Sequence, residues 1–63
     1  MKAGTIVITK KDLIFFDGSV SFKKGKEYKV LNDCNSLEKA TLIDEQGEPH
    51  SPGDWFTKFK IKS

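Results

Sequence analysis

The side chains with the widest chemical repertoire occur here as single copies: Cys34 is the sole cysteine, His50 the sole histidine and Trp55 the sole tryptophan. A nucleophile and base would have to be Cys34 with His50. Cys34, however, lies in the polar run Asn32-Asp33-Cys34-Asn35-Ser36, and nothing in the sequence supplies a third group to orient the imidazole. One cysteine forms no internal disulfide, and one cysteine with one histidine cannot assemble a Cys/His zinc site within a chain. Asp44 and Glu45 are neighbours at a strand end and so point to opposite faces, unlike a working carboxylate pair. Gly25 stands alone before a strand, without the glycine-rich loop and following helix that cradle phosphates. These residues suit binding rather than catalysis, and no catalytic residue, metal or cofactor is expected.

Two groups of residues could bind a ligand. Lys23, Lys24 and Lys26 cluster at one turn, while Lys58, Lys60 and Lys62 share one face of the last strand. Either cluster could hold phosphate through charge, with salt-sensitive affinity. A solvated strand edge that resists unwanted pairing accounts for the same lysines. Trp55, beside a loop, could stack on a base or on a partner's side chain, or else close the open end of a barrel. Phe22, Tyr28, Phe56 and Phe59 read first as core. The binding mechanism these suggest is stacking on Trp55 or Tyr28, with Lys24, Lys26, Lys58 and Lys60 supplying charge. His50, between Pro49 and Ser51, is a further candidate contact, with a structural role as the alternative.

Charge narrows the class of ligand. The net charge is only +2, and no basic residue is Arg, the side chain that reads phosphate or guanine bidentately. A lysine-rich source composition would explain the same bias. Residues 1–30 hold seven Lys against three acids, residues 31–54 one Lys against six acids, and residues 55–63 three Lys and no acid. Two differently charged sides are expected, and nucleic acid is a weaker expectation than a small anion or a protein.

A chain of 63 residues is one domain, near the lower limit for a core without staples. Its periodicity is that of strands. Thr5 to Lys10 sets Ile6 and Ile8 on one face against Thr5, Val7 and Thr9; Leu13 to Phe16 follows and stops at Asp17-Gly18-Ser19. Val20 and Phe22 alternate with serines, Gly25 makes a tight turn, and Lys26 to Leu31 continues as a strand. Lys39 to Asp44 alternates again, and Glu45-Gln46-Gly47-Glu48 connects it to a short strand around His50. Ser51-Pro52-Gly53-Asp54 has the form of a helix start, which predicts one helical or 3-10 turn over Pro52 to Thr57. Phe59 and Ile61 then alternate with lysines as a closing strand. Five short strands and one helical turn before the last describe an all-β, small closed or nearly closed barrel, with an open antiparallel sheet as the alternative.

Ile6-Val7-Ile8 and Leu13-Ile14-Phe15-Phe16 offer apolar groups to both faces. If Val7, Ile14 and Phe16 face outward, they form a patch that monomers rarely expose, and a twofold homo-oligomer is the economical reading. The alternative is a core enlarged by the helical turn. Both runs are far shorter than the ~20 residues that cross a bilayer. The start MKAGTIVITKK has no long apolar stretch, and the lone cysteine suits a reducing interior, so a cytoplasmic location is expected.

The run Phe22-x-x-Gly25-Lys26-x-Tyr28-x-Val30, the hairpin from Ile43 to His50 and Asp54-Trp55-Phe56-x-Lys58-Phe59 together resemble very short phage and prophage proteins with SH3-like barrels. The resemblance covers roughly Phe22 to Ile61, and its motifs are also general hairpin grammar. It implies a five-stranded SH3-like barrel and a non-enzymatic protein acting by stoichiometric binding. Such a protein would sequester a nucleotide-like anion at a subunit interface or block a host protein. A nucleic-acid accessory module and a purely protein-binding module, the latter using the barrel edge or the groove around Trp55, are the alternatives.

Overall fold

A β-branched run prefers the pleated, half-buried environment of a strand, and Ile6–Thr9 (β1) occupies the middle of the largest sheet. The computed structural model describes residues 1–62. In it β1 is flanked on one side by Glu27–Lys29 (β4) and on the other by Phe59–Ile61 (β7), both antiparallel. Val7 lies opposite Tyr28 on one side and Ile61 on the other. Backbone bonds extend both seams past the strand ends. Val30 N–H donates to Thr5 O (2.8 Å), Lys62 N–H to Ile6 O (2.8 Å) and Lys10 N–H to Lys58 O (2.7 Å).

Two hairpins complete the fold. Leu13–Ile14 (β2) pairs with Val20–Phe22 (β3), with an irregular register between Leu13 and Ile14. Their turn is closed by Phe15 N–H to Ser19 O (2.8 Å) and Gly18 N–H to Phe15 O (2.9 Å), while Asp17 Oδ1 accepts from Ser19 N–H (2.9 Å). Leu42–Ile43 (β5) pairs with Pro49–His50 (β6) across the Asp44–Glu48 turn. Single backbone bonds stitch the second hairpin to the rest: Leu31 N–H to Thr41 O (2.9 Å) and Glu45 N–H to Ser21 O (2.8 Å). A 3-10 turn over Gly53–Lys58 then delivers the chain to β7.

The core contains Val7, Leu13, Phe22, Tyr28, Val30, Ala40, Leu42 and Phe59. Phe22 is its hub. Tyr28 and Phe59 meet it edge-on at ring-centroid distances of 5.0 and 5.2 Å, and Trp55 at 6.4 Å, arrangements that the aromatic quadrupole favours.

The molecule is all-β, but the expected closed barrel of five strands is replaced by seven strands of two to four residues in three small antiparallel sheets among the described residues. The physical reason lies at two places. Both edges of β1 are taken by β4 and β7, leaving the β2–β3 hairpin no place on its ladder, and the chain after Ser36 forms a 3-10 turn over Leu37–Lys39 instead of entering a strand at Lys39. The predicted turn at Pro52 to Thr57 exists one residue later, with Pro52 rather than Ser51 at its start and no side-chain cap. Val7 needs correction as an outward residue. It is 0% exposed, because the face it shares with Thr9 is the one β1 turns to the core. Ile14 and Phe16 are both exposed.

Candidate functional site

Leu13 of β2 is buried in the core, and Phe15, just past the strand with its N–H bonded to Ser19 O, is half-buried and forms the first wall of a groove at the end of the β2–β3 hairpin. β6 brings His50 beside it, and the ring centroids of Phe15 and His50 lie 5.1 Å apart. The 3-10 turn supplies Trp55, whose ring is 6.4 Å from Phe15 and which also rests on the core. Ser51, Pro52 and Asp54 complete a groove of about 340 Å³. Phe15 from the hairpin and the contiguous stretch from His50 to Trp55 thus place aromatic rings around one opening.

His50 is held from below. Asp44, whose side chain is 99% buried by the fold, accepts hydrogen bonds at Oδ1 from Gln46 N–H (2.8 Å) and Glu48 N–H (3.0 Å). Its Oδ2 stands 2.8 Å from His50 Nδ1, with no other polar partner. That contact becomes an ion pair when the imidazole carries a second proton. It also leaves Nε2 as the imidazole nitrogen free for a ligand.

The sequence expectations divide here. Trp55 and His50 meet in the groove, whereas Lys24, Lys26, Lys58 and Lys60 do not line it. Lys26 is drawn to the acidic hairpin: its Nζ lies 2.7 Å from Glu45 Oε2 and 5.8 Å from the Tyr28 ring centroid. Lys24 is exposed, and its N–H donates to Asp12 Oδ1 (2.7 Å), so the lysine turn spends a backbone donor on an acid of its own chain. Lys60 is exposed on β7 opposite Ile8, and Lys58 is half-buried at the end of the 3-10 turn. The two lysine clusters are further offset by acids, since Lys62 Nζ pairs with Glu27 Oε2 at 2.7 Å.

Tyr28 is not a stacking platform. It is buried, with Phe22 edge-on against it, and its hydroxyl accepts from Lys23 N–H (2.7 Å) while donating to Glu45 Oε2 (2.7 Å). Burial, with added contributions from Glu45, pushes the phenol up to about 12 despite the opposing Lys23 N–H. The Lys26 and Tyr28 hydrogen bonds hold the Glu45 carboxyl below its ordinary range. The hollow beside Tyr28 is lined by Lys26 and Lys29 but also by Glu27, Asp44 and Glu45, a poor setting for an anion.

The chain matches no protein-family profile, no curated protein and no solved structure. Its site is therefore read from geometry. A hollow of about 540 Å³ around Met1, Asp33 and Cys34 is where the N-terminal segment is tied down. Met1 N donates to Cys34 O (2.9 Å), Cys34 N–H to Met1 O (2.9 Å) and Ala3 N–H to Asp33 Oδ1 (2.8 Å). Its polar groups serve the fold. Cys34 and His50 line separate hollows, so the structure does not bring that pair together. No group of three or more metal-ligating side chains occurs among the described residues, nor does a helix long and apolar enough to cross a membrane.

Phe15, Ser51, Pro52 and Asp54 are the site residues that sequence reasoning passed over. Phe15 lies just past β2 at the start of the turn, where no strand alternation singles it out.

Proposed function

We propose that this chain is a non-catalytic binding module that docks an extended segment of a partner protein in the groove of Phe15, His50, Pro52 and Trp55. The observation that carries this reading is the meeting of Phe15 with His50 and Trp55 of the 50–55 stretch around a shallow opening that no lysine lines. Aromatic-lined grooves of this kind accept extended, proline-containing segments, whose preformed backbone loses little entropy on binding. Asp54 at the rim and the Asp44-backed His50 add polar contacts that fix direction. A nucleotide-like anion is served less well, because the rings that could stack on a base are separated from the lysines that would meet its phosphates.

The fold reading is refined in the same direction. A last strand that returns beside the first, preceded by a 3-10 turn, supports an SH3-like arrangement left open between its sheets. The resemblance to short phage proteins favours a host protein in the cytoplasm as the partner, bound stoichiometrically. Selection of displayed random peptides on the immobilised protein tests the reading. Enrichment of sequences sharing proline or aromatic anchors, lost in Phe15→Ala, is expected. Recovery of no peptide, together with release of a nucleotide from the heat-denatured protein, would overturn it.

A further inference from the structure

The groove is locally acidic in a molecule whose net charge is +2. Asp54 stands exposed at its rim, and no lysine is among its lining residues. A second carboxylate lies behind it. Asp44 Oδ2 is 2.8 Å from His50 Nδ1, while Oδ1 is fixed by the Gln46 and Glu48 amides. The remaining walls are rings. Phe15 is inclined at 51° to His50 and at 45° to Trp55, with centroids 5.1 and 6.4 Å away. Because these rings do not lie flat on one another, their faces are not consumed by mutual stacking, and the face is the negative pole of an aromatic quadrupole.

We propose that the groove selects a cation: the docked segment presents an arginine or lysine whose charged end lies on the Phe15 and Trp55 rings and pairs with Asp54. The inference rests on the groove docking a protein segment, as in the proposed function, and adds the chemistry of one residue of that segment. Three features favour a cation over an anion. A cation within ~6 Å of a ring centroid is attracted to it, most strongly by Trp, and centroids 6.4 Å apart let one charge lie within that reach of both rings. Asp54 supplies the counter-charge from a rim position where it keeps its water. With Asp44 Oδ2 beside Nδ1, the neutral His50 carries its proton there and offers Nε2 as an acceptor for an N–H donor. A carboxylate or phosphate in the same place would meet Asp54 and the negative ring faces, and both repel it.

Each contact is modest. A cation on an exposed ring strengthens binding about two- to fivefold, and an exposed ion pair by at most about fivefold. Together they decide which segment is preferred, while apolar contact with Phe15, Pro52 and Trp55 supplies the rest of the affinity.

Peptides recovered by display, resynthesised with arginine, citrulline or glutamate at one position, test this when titrated into wild type and Asp54→Asn. Citrulline keeps the planar shape of arginine and removes its charge. Selected sequences should carry Arg or Lys at a fixed spacing from their proline or aromatic anchor. Replacing arginine by citrulline should weaken binding about tenfold, the two contacts combined, and glutamate should weaken it further. Asp54→Asn should weaken the arginine peptide about two- to fivefold, leaving the citrulline peptide and the thermal midpoint unchanged. Selected peptides without a basic residue, or equal affinity for the arginine and citrulline forms, would overturn the cation while the groove stands. An arginine preference that Asp54→Asn leaves intact would also overturn it, since the charge then lies elsewhere. Recovery of no peptide removes the groove itself.

Discussion

Removing the Tyr28 hydroxyl takes away two hydrogen bonds at once and leaves the Lys23 amide without its acceptor. Tyr28→Phe should therefore destabilise the fold by about 1–3 kcal/mol, read as a lower denaturation midpoint in urea. The same hydroxyl makes the wild type sensitive to alkali. Its folded pKa of about 12 lies above the ordinary 10.0, so the neutral phenol's stabilisation is complete below pH 10 and is lost as pH climbs from 10 toward 12. Tyr28→Phe lacks that component, and the stability difference between the two proteins should shrink across this window. Asp44 is the other residue on which much rests. Asp44→Ala orphans the Gln46 and Glu48 amides and should cost about 2–3 kcal/mol in the same urea measurement, whereas Asp44→Asn, which keeps an acceptor, should recover a large part of it.

At the scale of elements, turns were more legible than faces. Gly25 was readable as a turn because it interrupts two strand patterns, and it adopts φ +79° with nothing within 4 Å of the position a Cβ would take. Gly25→Ala should thus cost about 1–2 kcal/mol from backbone conformation alone, without a clash, and thermal unfolding will show it. Val20–Phe22 and the 3-10 turn before β7 were equally plain, since alternation and the Ser-Pro-Gly-Asp signal are local. The inward face of β1 was not. Ile6-Val7-Ile8 is apolar on both sides, and burial of Thr9, with its hydroxyl unpaired, breaks the rule that would have chosen between them. Only the flanking β4 and β7 decide it. Leu37–Lys39 was hidden for the opposite reason: its 3-10 turn follows from the Ser36 and Leu37 carbonyls closing onto the Lys39 and Ala40 amides, which no periodicity announces.

For the whole molecule, the site depends on an assembly the sequence does not display. Trp55 and His50 stood out as single copies, but the lysines grouped with them by charge lie elsewhere, Lys26 held by Glu45. Phe15 and Pro52 become wall residues only when the hairpin, β6 and the 3-10 turn converge. The net positive charge is thus spread around the fold, while the groove has an aromatic surface and an aspartate at its rim. An amide-resolved NMR titration with a peptide from the display selection tests this division most directly. The account predicts shifts concentrated at Phe15, His50, Ser51, Asp54 and the Trp55 indole. Shifts confined to Lys24, Lys26, Lys58 and Lys60, with the groove resonances unmoved, would contradict it.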